Sequence, residues 1–208
     1  MQNKLLEKNN FKRNIMKTIK TTITILAMAI FSISCSKDDE STTAVVIPEQ
    51  NPLVGYLAAT GFDQVSTNRI NSGDYEFGYS FTPLVNGTMT AIVAKIPDIR
   101  IGMRITIWDK VAGTVLRTES IDMTAAGVEV TKGINALNLI KDKEYFITFN
   151  SNDWYDHKKT DGSSVTYPFT VGDIKITGYA YATGTAQTFP TSAQTTYYAG
   201  DVSFKFQK

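Results

Sequence analysis

From about Pro52 onward the chain alternates apolar and polar residues with a period of two. Tyr75, Phe77, Tyr79 and Phe81 are interleaved with Glu76, Gly78 and Ser80. Ile101, Met103, Ile105 and Ile107 share one phase, and Arg104, Thr106 and Trp108 the other. Tyr145, Ile147 and Phe149 repeat the pattern, as do Ile174 and Ile176. Successive side chains of a strand point to opposite faces, so each run predicts a strand with one face turned to a core. Residues 89–96 (MTAIVAKI) are more continuously apolar, as in a central strand. Residues 109–113 (DKVAG) offer turn chemistry, and residues 114–121 return as the second arm of a hairpin. At the end, Val202, Phe204 and Phe206 turn inward, leaving Ser203 and Lys205 to water. The expectation is eight or so strands, no long helix and no repeat of fixed period. That describes an all-β fold: a single antiparallel β-sandwich, jelly-roll-like or immunoglobulin-like, over residues 54–208. The last strand is expected to pair centrally or with the first.

Two stretches break the rhythm. Residues 150–174 hold Trp154, Tyr155, several Asp and Asn, and the only histidine, His157. Residues 183–196 are also irregular. Connections this long inside a compact domain tend to carry function.

The N-terminus reads differently. Lys4, Lys8, Lys12, Arg13, Lys17 and Lys20 precede an uncharged stretch over residues 21–34, apolar through ITILAMAIFSI. This is a secretory signal over residues 1–34, too short to span a bilayer. Met16 would begin a signal of ordinary length, and the expectation is that residues 1–15 are an over-extended start. The chain's one cysteine, Cys35, stands at the end of FSISC, where cleavage falls. That arrangement resembles the bacterial lipoprotein lipobox, with Ile33 in place of the more usual small residue. It implies a thiol carrying acyl chains that hold the protein on a membrane. The following CSKDDE resembles the acidic tether of lipoproteins displayed on the outer face of the outer membrane, and residues 35–53 read as the lipidated cysteine and a flexible linker. Of the 21 basic and 20 acidic residues, the mature chain keeps 15 and 19, a net charge of −4. A mildly acidic domain without a basic stripe excludes nucleic acid as a partner.

The runs YEFGYSFTPLVNGTMTAIVAKIPD, ITIWDKVAGTVLRTESI, KDKEYFITFN and FPTSAQTTYYAGDVSF, spread over residues 74–206, carry a family resemblance. They are similar to a bacterial extracellular domain of unknown function. Its pattern runs from an "LG..F....G.ITA" opening through an "lWd..tGtlL" hairpin to a "P......YW.DV.F" close. The family occurs beside carbohydrate-active modules and alone in lipoproteins, which implies a β-sandwich at the cell surface and suggests glycan binding. The segment over residues 150–171 is longer than the family pattern.

No catalytic constellation accompanies this. GxSxG, HExxH, Walker A and GxGxxG are all missing, and the chain is read as a non-enzyme with no cofactor. His157 reads as a solvated loop residue. Asn152, Asp153, Asp156 and Asp161 supply oxygens of the kind calcium takes, although their spacing is not that of an EF-hand. Asp- and Asn-rich turns also bond their own backbone. The aromatics offer more. Trp154 and Tyr155, with Tyr167 at the far end of the same stretch and Tyr179 and Tyr181 in the phase of Lys175 and Thr177, could stack on sugar rings. Asp153 and Asp156 would accept hydroxyl hydrogen bonds. The expected function is recognition of an extracellular glycan by a lipid-anchored outer-membrane protein. The alternative is a structural or assembly subunit that binds an envelope protein and no small molecule.

Overall fold

The computed structural model describes residues 48–208. The signal segment, Met16, Cys35 and the acidic run after it lie outside the described residues. The domain is an antiparallel β-sandwich with one short helix. The larger sheet runs β11 (Ser192–Gln194), β10 (Ile174–Thr183), β2 (Tyr75–Pro83), β7 (Tyr145–Ser151), β4 (Arg100–Asp109) and β5 (Thr114–Met123), with β9 (Phe169–Val171) also paired to β10. Facing it is β13 (Asp201–Gln207), β3 (Gly87–Lys95) and β6 (Val130–Leu139). A third sheet is made of β1 (Val65–Arg69), β8 (Trp154–Lys158) and β12 (Tyr198–Ala199).

The alternation read from the sequence becomes the core. Phe77, Tyr79 and Phe81 of β2, Ile105 and Ile107 of β4, and Ile147 and Phe149 of β7 meet Met89 and Ile92 of β3 and Phe204 and Phe206 of β13. The rings of Phe81 and Phe204 meet across the two sheets with centroids 4.5 Å apart. Each such fully buried side chain contributes about 1.5–3 kcal/mol of transfer free energy.

Four elements differ from the sequence reading. The helix α1 (Pro52–Thr60) begins inside the stretch read as linker. Asn51 caps it by accepting the Leu53 N–H, Pro52 starts its first turn and Gly61 ends it in the left-handed region at φ 76°. Tyr56 on this helix is fully buried among Phe62, Tyr79, Tyr167, Phe169 and Tyr198. Gln50, just ahead of the helix, is clamped as well. Its backbone exchanges two hydrogen bonds with Phe206, at 2.8 and 2.9 Å. Its side chain donates to Asp173 Oδ2 at 2.5 Å and accepts the Asp173 N–H at 2.8 Å. The last strand therefore pairs with β3 on one side and Gln50 on the other, not with the first strand.

Ser203 does not face water. It is fully buried, donating to the Asn51 side chain at 2.6 Å and 3.3 Å from the Tyr79 hydroxyl. Within residues 150–174 the chain forms two strands, β8 and β9, where one long loop was expected. Residues 183–196 fold back over the outer face of the larger sheet. There Phe189 covers Trp108 and Phe146, with ring centroids 5.6 and 5.8 Å away. The Trp108 indole N–H donates to Thr148 Oγ1 at 3.0 Å, so a second, smaller core occupies what reads as the polar face.

Candidate functional site

Strand β8 is the central strand of the third sheet, and its two faces do different work. Tyr155 and His157 point to one side. His157 is buried, with Nε2 2.6 Å from Asp201 Oδ1, and its ring stacks on Tyr198. The solvated histidine of the sequence reading is thus corrected: β12 and β13 close over it and supply a carboxylate partner. Trp154, Asp156 and Lys158 point to the other side and line a cleft of about 420 Å³.

The facing wall of this cleft comes from the inner face of the larger sheet: Tyr75 and Phe77 of β2, and Tyr179, Tyr181 and Thr183 of β10. Arg69 and Ser72 close it at the end of β1, and Tyr197 and Ala199 at β12. Trp154 is half-buried and meets Tyr75 and Phe77 edge-on, each at 5.2 Å. Aromatic faces and edges therefore make up most of the wall, and a small charged group supplies the polar part. Arg69 Nη2 donates to Asp156 Oδ2 at 3.1 Å, and Lys158 Nζ stands 3.1 Å from the same oxygen. The other oxygen, Asp156 Oδ1, is buried with no hydrogen-bond partner.

Burial pushes the Tyr197 hydroxyl up to about 12, with Tyr181 and Asp156 adding to the shift. Burial likewise holds Tyr179 well above the ordinary tyrosine value. Both rings keep their protons at neutral pH.

Of the seven residues singled out by sequence for sugar binding, Trp154, Asp156, Tyr179 and Tyr181 meet in this cleft, and the other three do not. Tyr179 and Tyr181 arrive for a reason the sequence reading had reversed. The β10–β2 register shifts between Ile176 and Gly178. The extra residue, Thr177, inverts the alternation after it, so Tyr179 pairs with Tyr79 and Tyr181 with Phe77 on the inner face while Ala180 turns outward. Tyr155 lies on the opposite face of β8, with Lys95 Nζ 5.1 Å from its ring centroid. Tyr167 packs on the helix, its hydroxyl 2.6 Å from that of Tyr56. Asp153 is buried, accepting the Asn71 N–H at 2.7 Å.

The calcium candidates are dispersed. Asn152 bonds Arg100 and Asn71, Asp153 bonds Asn71, Asp156 bonds Arg69 and Lys158, and Asp161 caps its own turn at the Ser163 N–H. Among the described residues no group of three His, Cys, Asp or Glu side chains is placed to hold a metal ion.

No protein-family model matches the chain, and no curated protein sequence matches it. The reading of the cleft therefore rests on its own chemistry.

The sequence reading missed Arg69, Lys158, Tyr75 and Tyr197. Lys158 had a signal, because Trp154, Asp156 and Lys158 keep a period of two. Reading residues 154–158 as a strand would have put all three on one face. Arg69 had none: the five residues of β1 are all exposed, and only pairing with β8 sets Arg69 opposite Trp154.

Proposed function

We propose that this domain is a glycan-binding module, carried by a lipoprotein anchored through Cys35 to the outer membrane and facing the cell exterior. The cleft supports this most directly. Flat aromatic side chains suit the C–H faces of sugar rings, and a few convergent polar groups fix orientation. At about 420 Å³ the space falls in the range of small-ligand sites and suits one or two sugar units. The half-buried, neutral Tyr197 hydroxyl and the part-exposed Arg69 and Lys158 supply donors for sugar oxygens.

The test is a glycan-array screen of the full chain, purified in detergent, beside a Trp154→Ala variant. The expected result is saturable binding to a subset of glycans that falls at least about tenfold in the variant, while the variant still melts cooperatively. Binding that survives the substitution unchanged would move the site elsewhere. A folded protein that binds no glycan would overturn the reading.

A further inference from the structure

Resting on that glycan reading, we infer that the sugar seated in the cleft is an acidic one, carrying a carboxylate or sulfate that Arg69 and Lys158 take between them. The charge arrangement is uneven. Two cations from neighbouring strands converge on a single oxygen of a single carboxylate, Asp156 Oδ2, each at 3.1 Å. Among the described residues, neither cation has another acid within ion-pair distance. One carboxylate balances one of them. The cleft therefore carries a surplus positive charge in a mature chain whose net charge is −4.

Two cations held this close repel each other, and a second anion between them relieves that repulsion. Each has capacity for one. The Arg69 and Lys158 side chains keep 45% and 43% of their surface exposed, against 10% for Asp156. The Arg69 guanidinium has five N–H groups and spends one on Asp156, leaving a fork of the kind that grips an oxyanion. Position completes the argument. Arg69 is the direct cross-strand partner of Trp154 on the same face of the sheet. A sugar ring lying on the indole thus has its exocyclic acid beside the guanidinium.

The experiment compares matched pairs of glycans by calorimetry on the full chain: oligogalacturonate against its methyl ester, and sulfated galactans against their desulfated forms. A wider panel of uronate, sialate and sulfate glycans, each beside its neutral counterpart, extends the search. The inference predicts that an acidic member binds, and that esterification or desulfation lowers its affinity about tenfold or more. Arg69→Gln and Lys158→Gln should each reproduce that loss without moving the melting temperature by more than a few degrees. Which pair responds distinguishes carboxylate from sulfate. Equal affinity for the charged and neutralised forms, or preference for the neutral one, would overturn the acidic ligand while leaving the glycan module standing. No binding to any member of the panel would remove both. The ligand modifications need no mutant, so a variant that fails to fold does not obscure the outcome.

Discussion

Gly200 shows how much of the cleft's shape hangs on single positions. It lies at φ 89° between β12 and β13, where the chain leaves the third sheet and enters the sandwich. A Cβ there would stand 2.1 Å from Phe149 Cε1 and 2.7 Å from Phe77 Cδ2, both ring atoms of the core. An alanine would combine backbone strain with overpacking, and neither ring can retreat because each is fully buried. Gly200→Ala is expected to cost about 3 kcal/mol, measured as a lowered urea midpoint. His157 makes a related point about burial. Its ring is 2.6 Å from Asp201, the residue directly after Gly200, so the same chain turn that needs a glycine also delivers the carboxylate.

Among the elements, the segment over residues 183–196 has the least obvious role in the sequence and a clear one in the fold. It covers Trp108 and Phe146 with Phe189, and Gln187 donates to Thr106 and Thr118 at 3.0 and 2.7 Å. Arg104 Nη2 donates to the Thr185 carbonyl at 3.0 Å while pairing with the buried Glu76 at 2.6 Å. Phe189→Ala should destabilise the domain by about 2 kcal/mol, since the ring is only partly buried. Glycan affinity should stay unchanged, because this cover and the cleft lie on opposite faces of the larger sheet. Parallel thermal melts and binding isotherms would check both parts.

The strands of the two main sheets were legible in the sequence because their alternation is long and backed by aromatic and β-branched residues. Three things were not. A one-residue bulge at Thr177 inverts the phase of β10 and leaves no local mark. The short strand β8 hides in a stretch rich in Asp and Asn, which reads as loop. The helix α1 is apolar on most sides and only nine residues long, so it shows no 3.6-residue stripe. The candidate site was half legible for the same reason: its aromatics announce themselves, while its cations are assembled by strand pairing.

Across the whole molecule, tyrosine dominates the electrostatics of the interior. Five of the ten tyrosines are buried, namely Tyr56, Tyr79, Tyr145, Tyr179 and Tyr198. Burial raises Tyr56, Tyr79, Tyr179 and Tyr198 above the ordinary value, with neighbouring tyrosines adding to the effect for Tyr56, Tyr179 and Tyr198. Unfolded tyrosine titrates near about 10. Above that pH the folded state holds more protons than the unfolded one, so stability is intact below about 10 and falls as pH rises further. Alkaline titration should show the half-buried Tyr155, Tyr167 and Tyr197, which burial raises less, ionising before Tyr56, Tyr79, Tyr179 and Tyr198. The buried group should ionise only together with loss of β-sheet circular dichroism. Smooth ionisation of all ten tyrosines without unfolding would contradict this.

The clamp at Gln50 has a mechanical consequence. Any pull transmitted along the chain from its N-terminal side meets the first backbone-bonded one of the described residues here, one position after the side-chain contact of Glu49 with Thr90. Four hydrogen bonds hold it, two to the backbone of Phe206 and two to Asp173, and Asp173 is itself held by Lys208 at 2.9 Å. The load passes straight into the final strand and the edge of the larger sheet, and α1 is not peeled away. A domain tugged by its leash while gripping something at the cleft would hold at Gln50 first, and the walls that grip would keep their spacing under tension.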